Sequence, residues 1–119
     1  MNVELTREFS FEAAHRLPNV PADHKCSRMH GHSYRAIVTV AGPIDPAAGW
    51  LIDFGELDAI CAPVRSQLDH HVLNEIASLE NATAENLTRW IYDQLKPSLP
   101  ILSSVTVWET PRNSCTYRG

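Results

Sequence analysis

The sequence is short of cysteine, short of basic charge and without any long apolar run, and each shortage removes a class of protein. Its three cysteines, Cys26, Cys61 and Cys115, are odd in number and widely spaced in 119 residues. That disfavours a disulfide framework and fits a reducing, cytoplasmic setting. Ten Lys and Arg against 14 Asp and Glu leave a formal charge of -4, whereas nucleic-acid platforms carry a basic surplus. No nucleic-acid partner is expected, although Arg16, Lys25, Arg28 and Arg35 could form a local basic pocket. No stretch approaches the roughly 20 apolar residues of a membrane span. Met1 to Phe11 carries Glu4, Arg7 and Glu8 and lacks the apolar run of an ordinary signal peptide, so no membrane association is expected. Repeats, linkers and low-complexity segments are absent as well. With 44% hydrophobic and 20% charged residues, the chain reads as one globular domain over residues 1–119 with a modest core.

The most informative stretch is Cys26-Ser27-Arg28-Met29-His30-Gly31-His32. It leads into an expected strand, His30 to Ala41, on which alternate side chains share a face. His30 and His32 therefore point the same way, roughly 6–7 Å apart at a rise of about 3.3 Å per residue. Gly31 between them leaves the opposite face open to close approach. A strand is also expected from Val3 to His15, with Val3, Leu5, Phe9, Phe11, Ala13 and His15 on one face and only Arg7 interrupting them. Pairing the two strands antiparallel across the loop Leu17–Met29 brings His15 to the same end as His30 and His32.

Further along, Asp53 with Glu56 predicts a helix N-terminus of the capping-box kind. Leu57, Ile60, Cys61, Val64 and Leu68 follow at helical spacing, and Pro63 should kink or shorten that helix. Cys61 falls on the apolar stripe as a small core residue. A second helix is expected from near Thr83 to Lys96-Pro97, then strands over Ser104–Thr110 and Cys115–Arg118. The order is β-β-α-α-β-β.

Three histidines suit a catalytic zinc site, because neutral ligands leave the metal its charge and a fourth position stays open. Two rivals remain at this point: a closed structural module of His15, His30, His32 and Cys26, and a zinc hydrolase with Glu109 or His70 as base. As a nucleophile or base, Cys26 needs its pKa lowered from about 8.5 by a neighbouring cation or imidazolium. Asp69-His70 can supply a carboxylate-oriented imidazole, although His71 leaves open which ring takes part. Glu109 shares a strand face with Val105 and Val107, where a carboxylate costs desolvation unless it meets a partner. That partner is either an arginine or a ligand with paired N–H donors.

Phe11-Glu12-Ala13-Ala14-His15, Cys26-x-x-x-His30-Gly31-His32, Ile52-Asp53-Phe54, Leu68-Asp69-His70-His71-x-Leu73-Asn74 and Trp108-Glu109-Thr110 together resemble the 6-pyruvoyltetrahydropterin synthase family over nearly the whole chain. The gap of three residues before His30-Gly31-His32 resembles its bacterial 6-carboxytetrahydropterin branch, which serves queuosine biosynthesis. The resemblance implies an α+β tunnelling fold: a four-stranded antiparallel sheet with two helices, sheets joined around a threefold axis into a barrel, and trimers stacked as a homohexamer. It implies His15, His30 and His32 as zinc ligands, Cys26 as the catalytic thiolate, Asp69 and His70 as a proton relay, and Glu109 as the anchor of a pterin ring. The implied reaction converts 7,8-dihydroneopterin triphosphate to 6-carboxy-5,6,7,8-tetrahydropterin, with release of acetaldehyde and triphosphate. It would proceed by internal redox tautomerisation without nicotinamide, and the 6-pyruvoyl reaction is the alternative. Lys25, Arg28 and Arg112 are the implied phosphate cations. Asn81-Ala82-Thr83 departs from the family, where proline often precedes the threonine.

Overall fold

Alternation of apolar and polar residues produces two long strands, β1 (Asn2–His15) and β2 (His30–Pro43). In the computed structural model, which describes residues 1–119, they form an antiparallel hairpin in unbroken register from Asn2 opposite Pro43 to His15 opposite His30. One face of the hairpin is apolar: Phe9, Phe11, Ala13, Tyr34, Ala36, Val38 and Val40 are all buried. Phe11 stacks on Tyr34 with ring centroids 5.0 Å apart, a contact worth about 0.5–1.5 kcal/mol beyond the area it buries. Arg7, the interruption on this face, reaches Asp58 at 2.6 Å. Both side chains are substantially exposed, so the pair adds little stability.

Two helices cover the apolar face. Helix α1 (Phe54–Leu68) buries Leu57, Cys61, Val64 and Leu68, and burial pushes the Cys61 thiol up to about 11, as suits an inert core residue. Pro63 does not shorten this helix, which runs on to Leu68. Proline removes the bond that would reach the Ala59 carbonyl, and both residues lie on the exposed side, where water can take its place. Asp53 is the N-cap by position but makes no side-chain capping bond, so the expected capping box does not form. Helix α2 (Ala84–Leu95) starts as expected, with the Thr83 hydroxyl accepting from the Asn86 N–H at 3.2 Å. It buries Leu87, Trp90, Ile91 and Leu95 against β4 (Leu102–Thr110) and β5 (Asn113–Tyr117).

The sheet corrects one expectation. It has five strands in the order β3-β1-β2-β4-β5 and is mixed, not four-stranded and antiparallel. The extra strand, β3 (His71–Val72), lies parallel to β1 beside Ala13 and Ala14. Its cause is local: His70 takes the left-handed conformation (φ 59°) just after α1, which turns the next two residues onto the free edge of β1. Strand alternation over two residues leaves no readable pattern. The face away from the helices is polar. Glu8 accepts from Arg35 at 2.7 Å, Ser33 donates to Glu12 at 2.7 Å, and Arg35 lies over the Trp108 ring at 5.9 Å. No helix is long and apolar enough to cross a membrane.

Candidate active site

The open end of the β1–β2 hairpin gathers the three histidines. His15 faces His30 directly across the ladder and Ala13 faces His32, so all three rings project from the same face as Phe11 and Tyr34, the helix-covered one. Their centroids lie 4.6, 5.1 and 4.9 Å apart, and one ring nitrogen from each falls within 4.8 Å of the other two. His15 is fully buried, and His30 and His32 half-buried.

The donor set suits a cation. His15 Nδ1 donates to the Ala82 carbonyl at 2.7 Å and His30 Nδ1 donates to the Arg28 carbonyl at 2.7 Å. A carbonyl can only accept, so each Nδ1 holds the proton and each Nε2 is left with a bare lone pair. Burial, the largest effect, pulls the pKa of His15 and of His32 below the ordinary histidine value, which favours the neutral form a metal ligand needs. Glu109 Oε1 stands 3.7 Å from His15 Nε2 and 3.9 Å from His32 Nε2. With His15 neutral in this tautomer the first contact sets one lone pair against another, an arrangement that a cation between them stabilises. His15, His30 and His32 can therefore hold a metal ion.

The same pocket, a cavity of about 450 Å³, is lined by Lys25, Cys26, Glu109, Thr110 and Asn113 as well as the histidines. Cys26 is in this cavity but is not a member of the metal-ligand cluster, which argues against the closed four-ligand module. It sits on a single 3-10 turn, Lys25–Ser27, tied back to the end of β1 by the Leu17 N–H donating to its carbonyl at 2.7 Å. Glu109 owes its aim to an irregularity. The β4–β5 register passes from Trp108 opposite Ser114 to Thr110 opposite Asn113, leaving Glu109 without a partner. A bulge of this kind re-aims a side chain, here toward the histidines. No arginine or lysine lies within ion-pair distance of Glu109, so the arginine partner considered from the pattern is not present.

Asp69 and His70 are not in this cavity. They lie at the β3 edge, where His70, His71, Glu12, Gly31, His32 and Ser33 line a separate open hollow on the polar side of the sheet. The Asp69 carboxylate accepts from the Glu12 N–H at 2.9 Å and contacts His70 Nδ1 at 3.1 Å. The first of these, then the second, holds its carboxyl below the usual carboxylate range. His71 Nδ1 donates instead to the Asp69 carbonyl at 2.8 Å, so His70 is the ring that this carboxylate orients. A Cβ added at Gly31 would meet only the Ala13 carbonyl, at 3.5 Å. Nothing within the chain demands glycine there, in keeping with an approach from outside.

His70 carries backbone strain at a chemically capable residue, a combination that marks functional sites. Its side chain is 78% exposed, so trimming it removes no packing, and its contact with Asp69 is the weak surface kind. His70→Gly should leave stability unchanged or raise it by up to about 1 kcal/mol, because relief of the left-handed conformation outweighs the added chain entropy. Chemical denaturation measures this, and a drop in the midpoint would mean that the ring is held by contacts within the chain or with a neighbouring copy.

Several supporting groups escaped sequence reasoning. Asn74 takes the Arg16 N–H at 2.9 Å and donates to the Arg16 and Glu80 carbonyls at 2.8 and 3.0 Å. It thereby pins the loop that sets the Ala82 carbonyl on His15. Tyr34 places its hydroxyl 3.4 Å from His15 Nδ1, and burial raises its pKa so that it stays protonated. Asn74 stood within a recognisable motif, and Tyr34 on the histidine face of β2. The Ala82 and Arg28 carbonyls had no signal, since backbone groups leave none.

Fold and site together define a class: a small α+β chain whose helix-backed sheet carries a pocket of three histidines able to hold a metal ion, with a cysteine and a carboxylate in the same cavity. The family model described as 6-pyruvoyl tetrahydropterin synthase matches residues 4–119, and the chain belongs to that family of enzymes. It is 41% identical over 117 residues to the 6-carboxy-5,6,7,8-tetrahydropterin synthase of Synechocystis sp., covering 93% of this chain and 89% of that protein. It is 35% identical over 136 residues to human 6-pyruvoyl tetrahydrobiopterin synthase, covering 98% and 91%. The solved 6-pyruvoyl tetrahydropterin synthase of Caenorhabditis elegans superposes with a TM-score of 0.93 at 31% identity, covering 100% of this chain and 96% of that one.

Proposed function

We propose that this chain converts 7,8-dihydroneopterin triphosphate and one water to 6-carboxy-5,6,7,8-tetrahydropterin, acetaldehyde and triphosphate. The observation that carries the reading is the meeting of three metal-competent histidines, Cys26 and Glu109 in one cavity. The gap of three residues between Cys26 and His30, and the similarity to the Synechocystis protein, favour this branch over the 6-pyruvoyl one. A zinc ion held by His15, His30 and His32 would supply the Lewis acidity that acidifies the substrate's side-chain hydroxyls. Cys26 removes a side-chain proton and so starts the tautomerisation that reduces the ring at the expense of its own side chain. Glu109 fixes the ring through two parallel N–H donors. Mass spectrometry of the products formed from dihydroneopterin triphosphate tests substrate and branch together. The expected product is the 6-carboxy compound with one acetaldehyde, and a 6-pyruvoyl product would overturn the branch assignment.

The relay of Asp69 and His70 reaches Cys26 from a neighbouring copy in this reading. Strand β5 has β4 on one side only, and β1 is covered on its outer side only at Ala13 and Ala14. Free edges at both ends of a small sheet favour closure with further copies. The Cys26 cavity borders Asn113, the first residue of β5, whereas Asp69 and His70 sit at the opposite edge. Joining β5 of one copy to the β3–β1 edge of the next sets the second copy's relay beside the first copy's pocket. A closed trimer or its stacked hexamer satisfies both edges. Cys26→Ala and His70→Ala should each be inactive alone and regain a fraction of parent turnover when refolded together. A mixture that stays silent, or a monomer by light scattering at micromolar concentration, would place the relay elsewhere.

A further inference from the structure

The loop that delivers Cys26 is built around a side chain that the proposed chemistry does not use. His24 precedes the 3-10 turn Lys25–Ser27 with extended backbone (φ -69°, ψ 135°), and its Nδ1 accepts the Cys26 N–H at 3.0 Å. Around it the His24 N–H donates to the Pro21 carbonyl at 2.9 Å, the Ser27 N–H donates to the His24 carbonyl at 3.0 Å, and the Ser27 hydroxyl donates to the Ala22 carbonyl at 2.9 Å. Every bond in this group converges on the residues flanking Cys26. The cysteine itself is only half-buried, and no residue of the turn is buried.

We infer that His24 is a positioning residue for Cys26: its ring acts as an N-cap that fixes the turn and thereby the direction of the thiol into the histidine cavity. A cap works by giving an orphan backbone N–H an acceptor. On a three-residue turn with no buried residue, loss of the cap leaves the Cys26 N–H without an acceptor. The turn is then held only by the Leu17 N–H on the Cys26 carbonyl and the bonds of Ser27 and Arg28, which loosens the aim of the thiol. His24 does not line the cavity, so its effect runs through the cysteine. Accepting at Nδ1 also fixes the tautomer, with the proton on Nε2. The acceptor is two bonds from Cβ, the same reach as the Oδ1 of asparagine and one bond shorter than the Oε1 of glutamine.

That chemistry sets the test, which rests on the reading of Cys26 as the proton-abstracting group for its kinetic arm only. His24→Ala should lower kcat by about 10- to 100-fold, the scale of a misplacement of about 1 Å, with KM nearly unchanged and the metal content of the parent. His24→Asn should restore kcat, and His24→Gln should not. Independently of any substrate, iodoacetamide should alkylate Cys26 at least about three times faster in His24→Ala and His24→Gln than in the parent or His24→Asn, because a freed turn exposes the thiol. If the parent shows no pterin turnover, the proposed function fails while the alkylation series still decides the role of His24. Asparagine failing to rescue would make the ring's Nε2 the active group and overturn the capping role. Unaltered kinetics and alkylation in His24→Ala, or its loss of metal, would overturn it equally.

Discussion

Cys26→Ala is expected to leave the fold and the metal site intact while turnover falls on the order of 1,000-fold, the scale of a removed proton-transfer group. The residue lies on a half-exposed turn and contributes nothing to the buried core. It also stands outside the cluster of ring nitrogens that can hold a metal. His30→Ala should do the reverse at the metal, dropping content well below one equivalent, because it removes one of three converging lone pairs. Metal analysis beside kinetics on the two variants separates the competing chemistries. A closed module of one cysteine and three histidines loses metal in Cys26→Ala, and a hydrolase that uses metal-bound hydroxide keeps its turnover. Either result would remove Cys26 from its proposed role.

Glu109→Gln should weaken substrate binding by about 10- to 150-fold, with metal content and stability unchanged. A pterin presents an exocyclic amine beside a ring N–H, two donors that match the two oxygens of one carboxylate. Glutamine keeps the shape but turns one acceptor into a donor facing a donor, so a charge-assisted bond worth roughly 1.5–3 kcal/mol is lost. The position makes the test clean. Glu109 is the unpaired residue of a bulge and has no ion-pair partner other than the histidines, so the amide disturbs no salt bridge. Tight binding of dihydroneopterin triphosphate by this variant would show that the ring is anchored elsewhere.

Much of this was legible along the chain because local periodicity decides it. A strand repeats every two residues, so His30 and His32 had to share a face, and His15 had to stand on the same side as Phe9 and Phe11. Antiparallel pairing across one loop then left little freedom in where the three rings meet. The helices were equally readable from Leu57, Cys61, Val64 and Leu68, and from Thr83 ahead of Leu87 and Ile91. The helix was not shortened at Pro63 because the rule that proline ends helices assumes the freed carbonyl has no other partner, and this one faces water. Strand β3 was missed because two residues hold no period, and because it depends on the left-handed turn at His70.

What the sequence determined by itself was therefore which residues belong to each face: the histidine triad, the apolar stripe beneath it, and a carboxylate out of place at Glu109. The tertiary structure alone decided three further matters. Glu109 reaches the triad because a bulge removes its cross-strand partner, and bulges arise from how two strands fit, not from either strand's pattern. Ala82 and Arg28 orient His15 and His30 through backbone carbonyls, which every residue possesses and no sequence marks. Asp69 and His70 lie at the sheet edge away from Cys26 because the order of strands across a sheet is set by topology. Distance between residues far apart in sequence is fixed by packing of the whole chain, and no local spacing encodes it.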